Sequence, residues 1–338
     1  MKQRATIADI AREAGVSKVA VSYALNGRTG VSDLTRQRIL GIAERLGWQP
    51  NSAARALSAA RADAVGLALA RPARVLGLEP FFMAFVSGIE SELANGHIAL
   101  LLQVVHDHDE EIATYRRWWA GRRVDGVIVV DLHVDDARVP VLEQLGLPAV
   151  VVGGPDGLGS LPGVWSDDAT AVDSAVDYLV ALGHTRIARV AGLPKLRHTQ
   201  VRTTAMERAM ARHGLPAAAV ITTDYTGEEG ARASRALLSR RNRPTAIIYD
   251  NDVMAVAALG VAQELGLGVP DQVSIIAWDD SPLCQLVRPA LTALSRDVAG
   301  YGAHAARMLI AQLDARDMTT TPDATPALIV RASTARTD

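Results

Sequence analysis

The run Thr6-Ile-Ala-Asp-Ile-Ala-Arg-Glu-Ala-Gly-Val-Ser-Lys-Val-Ala-Val-Ser-Tyr-Ala-Leu-Asn26 decides how this chain is read. Its spacing predicts two short helices joined by a tight turn at Gly15. Thr6 is placed to cap the first helix, with Asp9 three residues on completing a capping box. Ser17 is placed to cap the second. At about 100° per residue, Ala20, Val21, Ala24 and Leu25 share one face of the second helix. Lys18, Val19, Ser22, Tyr23 and Asn26 share the other. A cation, a phenol, a hydroxyl, an amide and an exposed apolar group suit the base edges and thymine methyls of a DNA major groove. The competing reading is a surface helical hairpin with no nucleic-acid partner.

The flanks favour DNA. Ser32 is placed to cap a third helix from Leu34 to Leu46, in which Leu34, Ile39, Ile42, Ala43 and Leu46 form the apolar stripe. Three helices in so short a span make a minimal helix-turn-helix unit. The stretch Trp48–Ser58 ends it and opens a fourth, Ala-rich helix. Net charge is −2, but its distribution is uneven: residues 1–61 carry +6 and the remainder −8. A basic head on an acidic body confines any DNA binding to the head.

At 338 residues, 49% of them hydrophobic, the chain has material for two or three cores. No apolar run is long enough for a membrane span. The start, Met1-Lys-Gln-Arg-Ala5, has no apolar leader, and the single Cys284 suits a reducing compartment, so a cytoplasmic protein is expected.

From Ala64 the pattern becomes α/β. Strands are predicted at Val65–Leu69, Ile98–Val105, Val127–Val130, Ala149–Val152, Ile187–Ala191, Val220–Thr222, Ala246–Tyr249 and Val273–Ala277. Amphipathic stretches such as Met83–Ala94, Ala169–Leu182, Thr203–His213, Gly230–Leu238 and Val253–Leu265 lie between them. This alternation argues parallel sheets, and the strand count argues two doubly wound lobes. The first runs to about Gly159 and the second begins near Leu161. The helix Val298–Leu313 and a final strand Ala327–Val330 tie the two together. Ligands of open α/β sheets sit beyond the carboxyl ends of strands. That places candidate contacts at Ala70–Arg71, His106–Asp109, Asp131, Gly153–Gly154, Gly192, Asp250–Asp252 and Trp278–Asp280. His106-Asp-His-Asp109 makes a poor metal pair. No nucleophile elbow, phosphate loop or zinc-protease motif is present, so no enzyme, cofactor or metal is expected.

The chain resembles the lactose-repressor/galactose-repressor (LacI/GalR) family of bacterial regulators. The resemblance rests on Thr6-Ile-Ala-Asp-Ile-Ala11, Ala14-Gly-Val-Ser17, Val21-Ser22, Leu25-Asn26, and Pro50-Asn51 with Ala53, Ala54 and Leu57. Leu182-Gly-His-Thr-Arg-Ile-Ala188, Asn251-Asp252, Trp278-Asp-Asp280, Pro289-Ala-Leu-Thr292 and Val330-Arg-Ala-Ser-Thr334 follow in the family's order. It implies an all-α head at 1–49, a hinge helix at 50–61, and a periplasmic-binding-protein-like effector and dimerisation domain at 62–338. Within that domain the lobes are expected at about 62–160 and 161–290, each with part of the C-terminus. The implied DNA contacts are Thr6, Ser17, Lys18, Val19, Ser22, Tyr23, Asn26 and Arg28, with Asn51, Ala54, Arg55 and Leu57 in the hinge. Lys2, Arg4 and Arg36 are further candidates for phosphate. The implied effector contacts are Phe81, Phe82, Arg202, Asn251, Asp252, Trp278 and Asp279. Gly153 stands where the lactose repressor has a pocket acid, and Ala205 and Met206 depart from the family's pattern after its effector-binding arginine.

The function so implied is a repressor of carbohydrate uptake or catabolism, released from a pseudo-palindromic operator by a sugar-like effector. The tail after Leu313 lacks a leucine heptad, which favours a homodimer. The alternatives are a co-repressor-type regulator answering a non-sugar metabolite, and a small-molecule-binding protein or enzyme with a helical interaction module.

Overall fold

In the computed structural model, residues 5–25, 27–48, 61–71, 76–316 and 319–337 are described. They fall into two units, Met1–Ala62 and Asp63–Asp338.

The first unit contains α1 (Ile7–Ala14), α2 (Lys18–Leu25) and α3 (Asp33–Arg45). The Thr6 hydroxyl accepts from the Asp9 N–H at 3.3 Å, and the Asp9 carboxylate accepts from the Thr6 N–H at 3.0 Å. This is the expected capping box. Gly15 ends α1 at φ 65°, a left-handed conformation that costs glycine nothing and frees the chain to turn. The Ser17 hydroxyl accepts from the Ala20 N–H at 3.1 Å. Ile10, Ala14, Val21, Ala24, Ile39 and Ile42 form the core of the three helices. Leu34 departs from the expected stripe and is 83% exposed. At about 100° per residue it lies well away from the face shared by Ile39, Ile42 and Ala43.

The second unit holds two six-stranded sheets. One comprises β1 (Ala64–Leu69), β2 (Ala99–Val104), β3 (Gly126–Val129), β4 (Ala149–Gly153), β5 (Gly163–Trp165) and β11 (Thr321–Pro322). Its order is β11-β5-β4-β3-β1-β2. The other comprises β6 (Ile187–Ala191), β7 (Ala219–Thr222), β8 (Ala246–Tyr249), β9 (Ser274–Trp278), β10 (Thr292–Ser295) and β12 (Ala327–Ile329), in the order β12-β10-β9-β8-β6-β7. Pairing is parallel except between β10 and β12. Central strands such as β3 and β9 are buried along their whole length, as a sheet covered by helices on both faces requires.

The covering helices of the first sheet are α4 (Pro80–Leu93), α5 (His108–Ala120) and α6 (Arg138–Leu145). Those of the second are α7 (Asp168–Ala181), α8 (Arg197–Arg212), α9 (Gly227–Leu238), α10 (Asp252–Glu264) and the short α11 (Pro282–Leu286). After β10 the chain returns to the first sheet as α12 (Val298–Leu313), which packs on α4, β3, β4 and β5. Gly88 and Gly302 make this packing possible: a Cβ on either would collide with the facing backbone, at Ala299 and Phe85.

The first sheet extends past Leu161, where the sequence placed the second lobe. Gly163–Trp165 pairs with β4 before the chain crosses over. It crosses again into α12, and a third time between β11 and β12. Three short connections between two sheets form a hinge, with the strand ends of both lobes meeting at the cleft between them.

Candidate ligand cleft and DNA-facing helix

The cleft is a cavity of about 260 Å³. Four of its charged side chains follow directly on the carboxyl ends of strands. Arg71 follows β1, Asp131 follows β3, Asp279 follows β9 and Arg296 follows β10. Asp131, Tyr225 and Asp279 hold φ of 53°, 71° and 62°. For residues with a Cβ this backbone is strained, and all three line the cleft. Tyr225 approaches so closely that a Cβ on Gly192 would overlap its ring.

Each arginine of the wall donates through Nε to an aspartate, and Arg202 also donates to the Asp250 carbonyl at 3.3 Å. Arg71 Nε donates to Asp131 at 2.8 Å, Arg202 Nε to Asp168 at 2.7 Å, and Arg296 Nε to Asp279 at 2.8 Å. Each also lies over aromatic rings. Arg71 stands 4.9 Å from the Tyr225 centroid, Arg202 3.5 Å from Trp278, and Arg296 5.0 Å from Phe81. Burial pushes the Asp131 carboxyl up, but the Arg71 charge overrides it and holds it at about 2. Burial drives His198 down to about 4, so at neutral pH it is uncharged, 2.7 Å from the Tyr225 hydroxyl. The same effect pushes Glu79 up to about 7, with Arg71 pulling it only partly back.

Arg71 belongs to the first lobe and Tyr225 to the second, so their stacking spans the cleft. A backbone bridge joins the lobes at the rim as well. Val134 N–H donates to the Lys195 carbonyl at 3.0 Å, and Arg197 N–H to the Leu132 carbonyl at 2.8 Å.

The sequence-derived contacts divide. Phe81, Phe82, Arg202 and Asp279 line the cleft. Asn251 stands behind the wall as the cap of α10, its carbonyl accepting from Met254 N–H at 2.9 Å and its amide donating to the Tyr225 carbonyl at 3.0 Å. Asp252 is buried on the first turn of the same helix. Trp278 is buried beneath Arg202 and serves as its platform. These three shape the wall without forming its surface: Asn251 and Asp252 are buried at the start of α10, and Trp278 is covered by Arg202. His106–Asp109 is no part of the cleft either. β2 is an edge strand, and His108 stacks on His133 at 3.7 Å. Among the described residues no group of side chains is arranged to hold a metal ion.

Glu79, Asp168, His198, Tyr225, Arg296 and Tyr301 also line the cleft and had not been singled out. Arg296 follows a strand, Thr-Ala-Leu-Ser, too short and too polar to read as one. Its exit therefore carried no signal.

On the head, Lys18, Val19 and Tyr23 are exposed, Val19 at 59% and Tyr23 at 36%, while Ser22 is half-buried. Thr6 and Ser17 are exposed as caps, and Arg28 is exposed. Arg36 is committed internally, donating to the Arg28 carbonyl at 2.7 Å and the Ala24 carbonyl at 3.4 Å. It closes the end of α2 instead of standing free for a phosphate. Lys2, Arg4, Asn26 and the hinge residues Asn51, Ala54, Arg55 and Leu57 lie outside the described residues.

Residues 6–51 match a family model described as bacterial regulatory proteins, lacI family. Residues 176–334 match one described as a periplasmic binding protein-like domain. Catabolite control protein A of Priestia megaterium is 31% identical over 308 residues, spanning 90% of this chain and 91% of its own length. A LacI family transcriptional regulator from Bifidobacterium animalis subsp. lactis has a solved structure that is 35% identical, with a TM-score of 0.76, covering 82% of this chain and 100% of that one. A structure of the transcriptional regulator CelR in complex with cellobiose is 28% identical, with a TM-score of 0.74, covering 98% and 100%.

Proposed function

The chain belongs to the lacI family of bacterial regulatory proteins, and from that premise we propose that it is a repressor of carbohydrate genes whose operator affinity is set by a saccharide in the cleft. It is a sequence-specific DNA-binding transcriptional regulator. The observation that carries the saccharide reading is the cleft wall itself. Three arginines and their aspartates offer fixed donors and acceptors, and Phe81, Trp165, Tyr225 and Tyr301 offer flat apolar faces. Hydroxyls need the first and the C–H faces of a pyranose need the second. The cellobiose in the related CelR complex is in keeping with this chemistry.

Lys18, Val19 and Tyr23 read the bases, with Ser22, Asn26 and Arg28 beside them and Thr6 and Ser17 at helix starts near phosphates. Two copies of the chain grip a pseudo-palindrome, since one helix-turn-helix per chain reads one half-site. Asn51, Ala54, Arg55 and Leu57 act in the hinge, where Leu57 wedges into the minor groove. The ligand shifts the balance between lobe arrangements and thereby the spacing of the paired hinges.

Gel-shift assays on fragments of the source genome, with and without a panel of saccharides, test this. Specific retardation relieved by a saccharide is the expected result. Retardation that no saccharide alters, with a non-sugar metabolite strengthening it, would favour a co-repressor mechanism instead.

A further inference from the structure

Among the described residues the cleft wall carries three arginines and seven carboxylates. Each arginine is matched by one aspartate, as described above. Asp250 is held from behind by Arg189 through two bonds of 2.7 Å. His198 is uncharged. Among the described residues, no cation of the wall is therefore left over for an anionic ligand.

Among the described residues one acid of the wall has no ion pair within 4 Å and caps no helix. Glu79 occupies the N-cap of α4, yet its side chain makes no capping bond. It is 8% exposed, lines the cleft, and its Oε2 has no hydrogen-bond partner among the described residues. Serine, threonine, aspartate or asparagine would have capped the helix at that position. Asn251 and the Arg71 charge act on the Glu79 carboxyl, but they leave Oε2 unbonded among the described residues. A buried carboxylate oxygen without a donor costs folding free energy, and a ligand hydroxyl would satisfy it. Asp131 and Asp279 are close enough to raise the cost of a negative charge on Glu79. An added phosphate or carboxylate would meet the same field.

We propose that Glu79 sets the charge class of the ligand, sharing a hydrogen bond with a hydroxyl of a neutral saccharide and rejecting phosphorylated or carboxylated sugars. This deepens the saccharide reading and rests on it.

The test uses the full chain, calorimetry at pH 8, and matched probes: cellobiose, maltose, sucrose and trehalose, each beside its 6-phosphate. At least one neutral disaccharide should bind, and its phosphate should bind about 30-fold more weakly or worse, the scale of a like-charge clash. Glu79→Gln should narrow that gap about tenfold. The wild-type ratio stands alone as a test should the variant fail to fold. A phosphate that binds as tightly as its parent, or an unchanged gap in folded Glu79→Gln, would overturn the inference. Binding of neither series would overturn the saccharide reading beneath it, and the inference with it.

Discussion

The guanidinium of Arg202 lies 3.5 Å over the indole of Trp278 while its Nε donates to Asp168 at 2.7 Å. Arg202 is thus a structural member of the wall as well as a donor facing the cleft. Arg202→Ala would remove the nearest counter-charge of buried Asp168, leaving it the Ser166 hydroxyl at 2.9 Å and the charge of Arg296. The expected loss is about 3–5 kcal/mol of folding stability, measured by urea denaturation at pH 7. A loss below about 1 kcal/mol would show that Ser166 and Arg296 hold Asp168 without Arg202.

Asp279 is the cleaner probe of ligand binding. Asparagine tolerates the left-handed backbone that Asp279 adopts and keeps the side chain's size. Asp279→Asn weakens the charge-assisted bond to Arg296 and to a ligand hydroxyl. Calorimetry with the saccharide that wild type binds should show a loss of roughly 1.5–3 kcal/mol, with operator affinity retained. Undiminished saccharide affinity would remove Asp279 from the contact set.

The Glu79 carboxyl, raised from 4.5 to about 7 in the folded chain, makes stability depend on pH. A folded-state value above the unfolded one means that the folded form binds the proton more tightly. That contribution is full below about pH 4.5 and is lost as pH rises through 7. Glu79→Gln should therefore gain stability relative to wild type between pH 4.5 and 8, by on the order of 1–3 kcal/mol. Asp252, raised to about 6 by burial, titrates in the same window, but it is common to both proteins and cancels in the difference. A difference that stays flat with pH would mean that Glu79 titrates normally.

Tyr23 packs beside Gly30, with a Cβ there only 3.3 Å from the ring. Its phenol is therefore held on the exposed face of α2. Tyr23→Ala should alter the consensus recovered from random operators more than it alters non-specific affinity. The same consensus from both proteins would withdraw its base-reading role.

The head was legible in sequence because its signals are local: Thr6, Asp9, Gly15 and Ser17 fix two helices within a dozen residues. The long apolar strands were legible for the same reason. Gly163–Trp165 and Thr292–Ser295 were not, since strands this short are specified by their neighbours in the sheet. α5 was missed although Asp107 caps it, because its charged sequence hides the buried stripe of Thr114, Tyr115 and Trp118. Arg202 and Asp279 could be placed at the cleft from family resemblance. That Arg296 would reach Asp279, or that Tyr225 would lie beneath Arg71, depends on contacts between residues far apart in the chain.

The central claim is that ligand in the cleft controls the head. The most direct measurement is fluorescence anisotropy of a labelled operator duplex with the full chain, titrated with the saccharide that calorimetry shows to bind. The account predicts a saccharide-dependent fall in operator affinity of about 5–150-fold, abolished in a folded Asp279→Asn variant at saccharide concentrations it no longer binds. Operator affinity unchanged at saturating saccharide would contradict it, leaving a DNA-binding protein whose cleft does not govern its head.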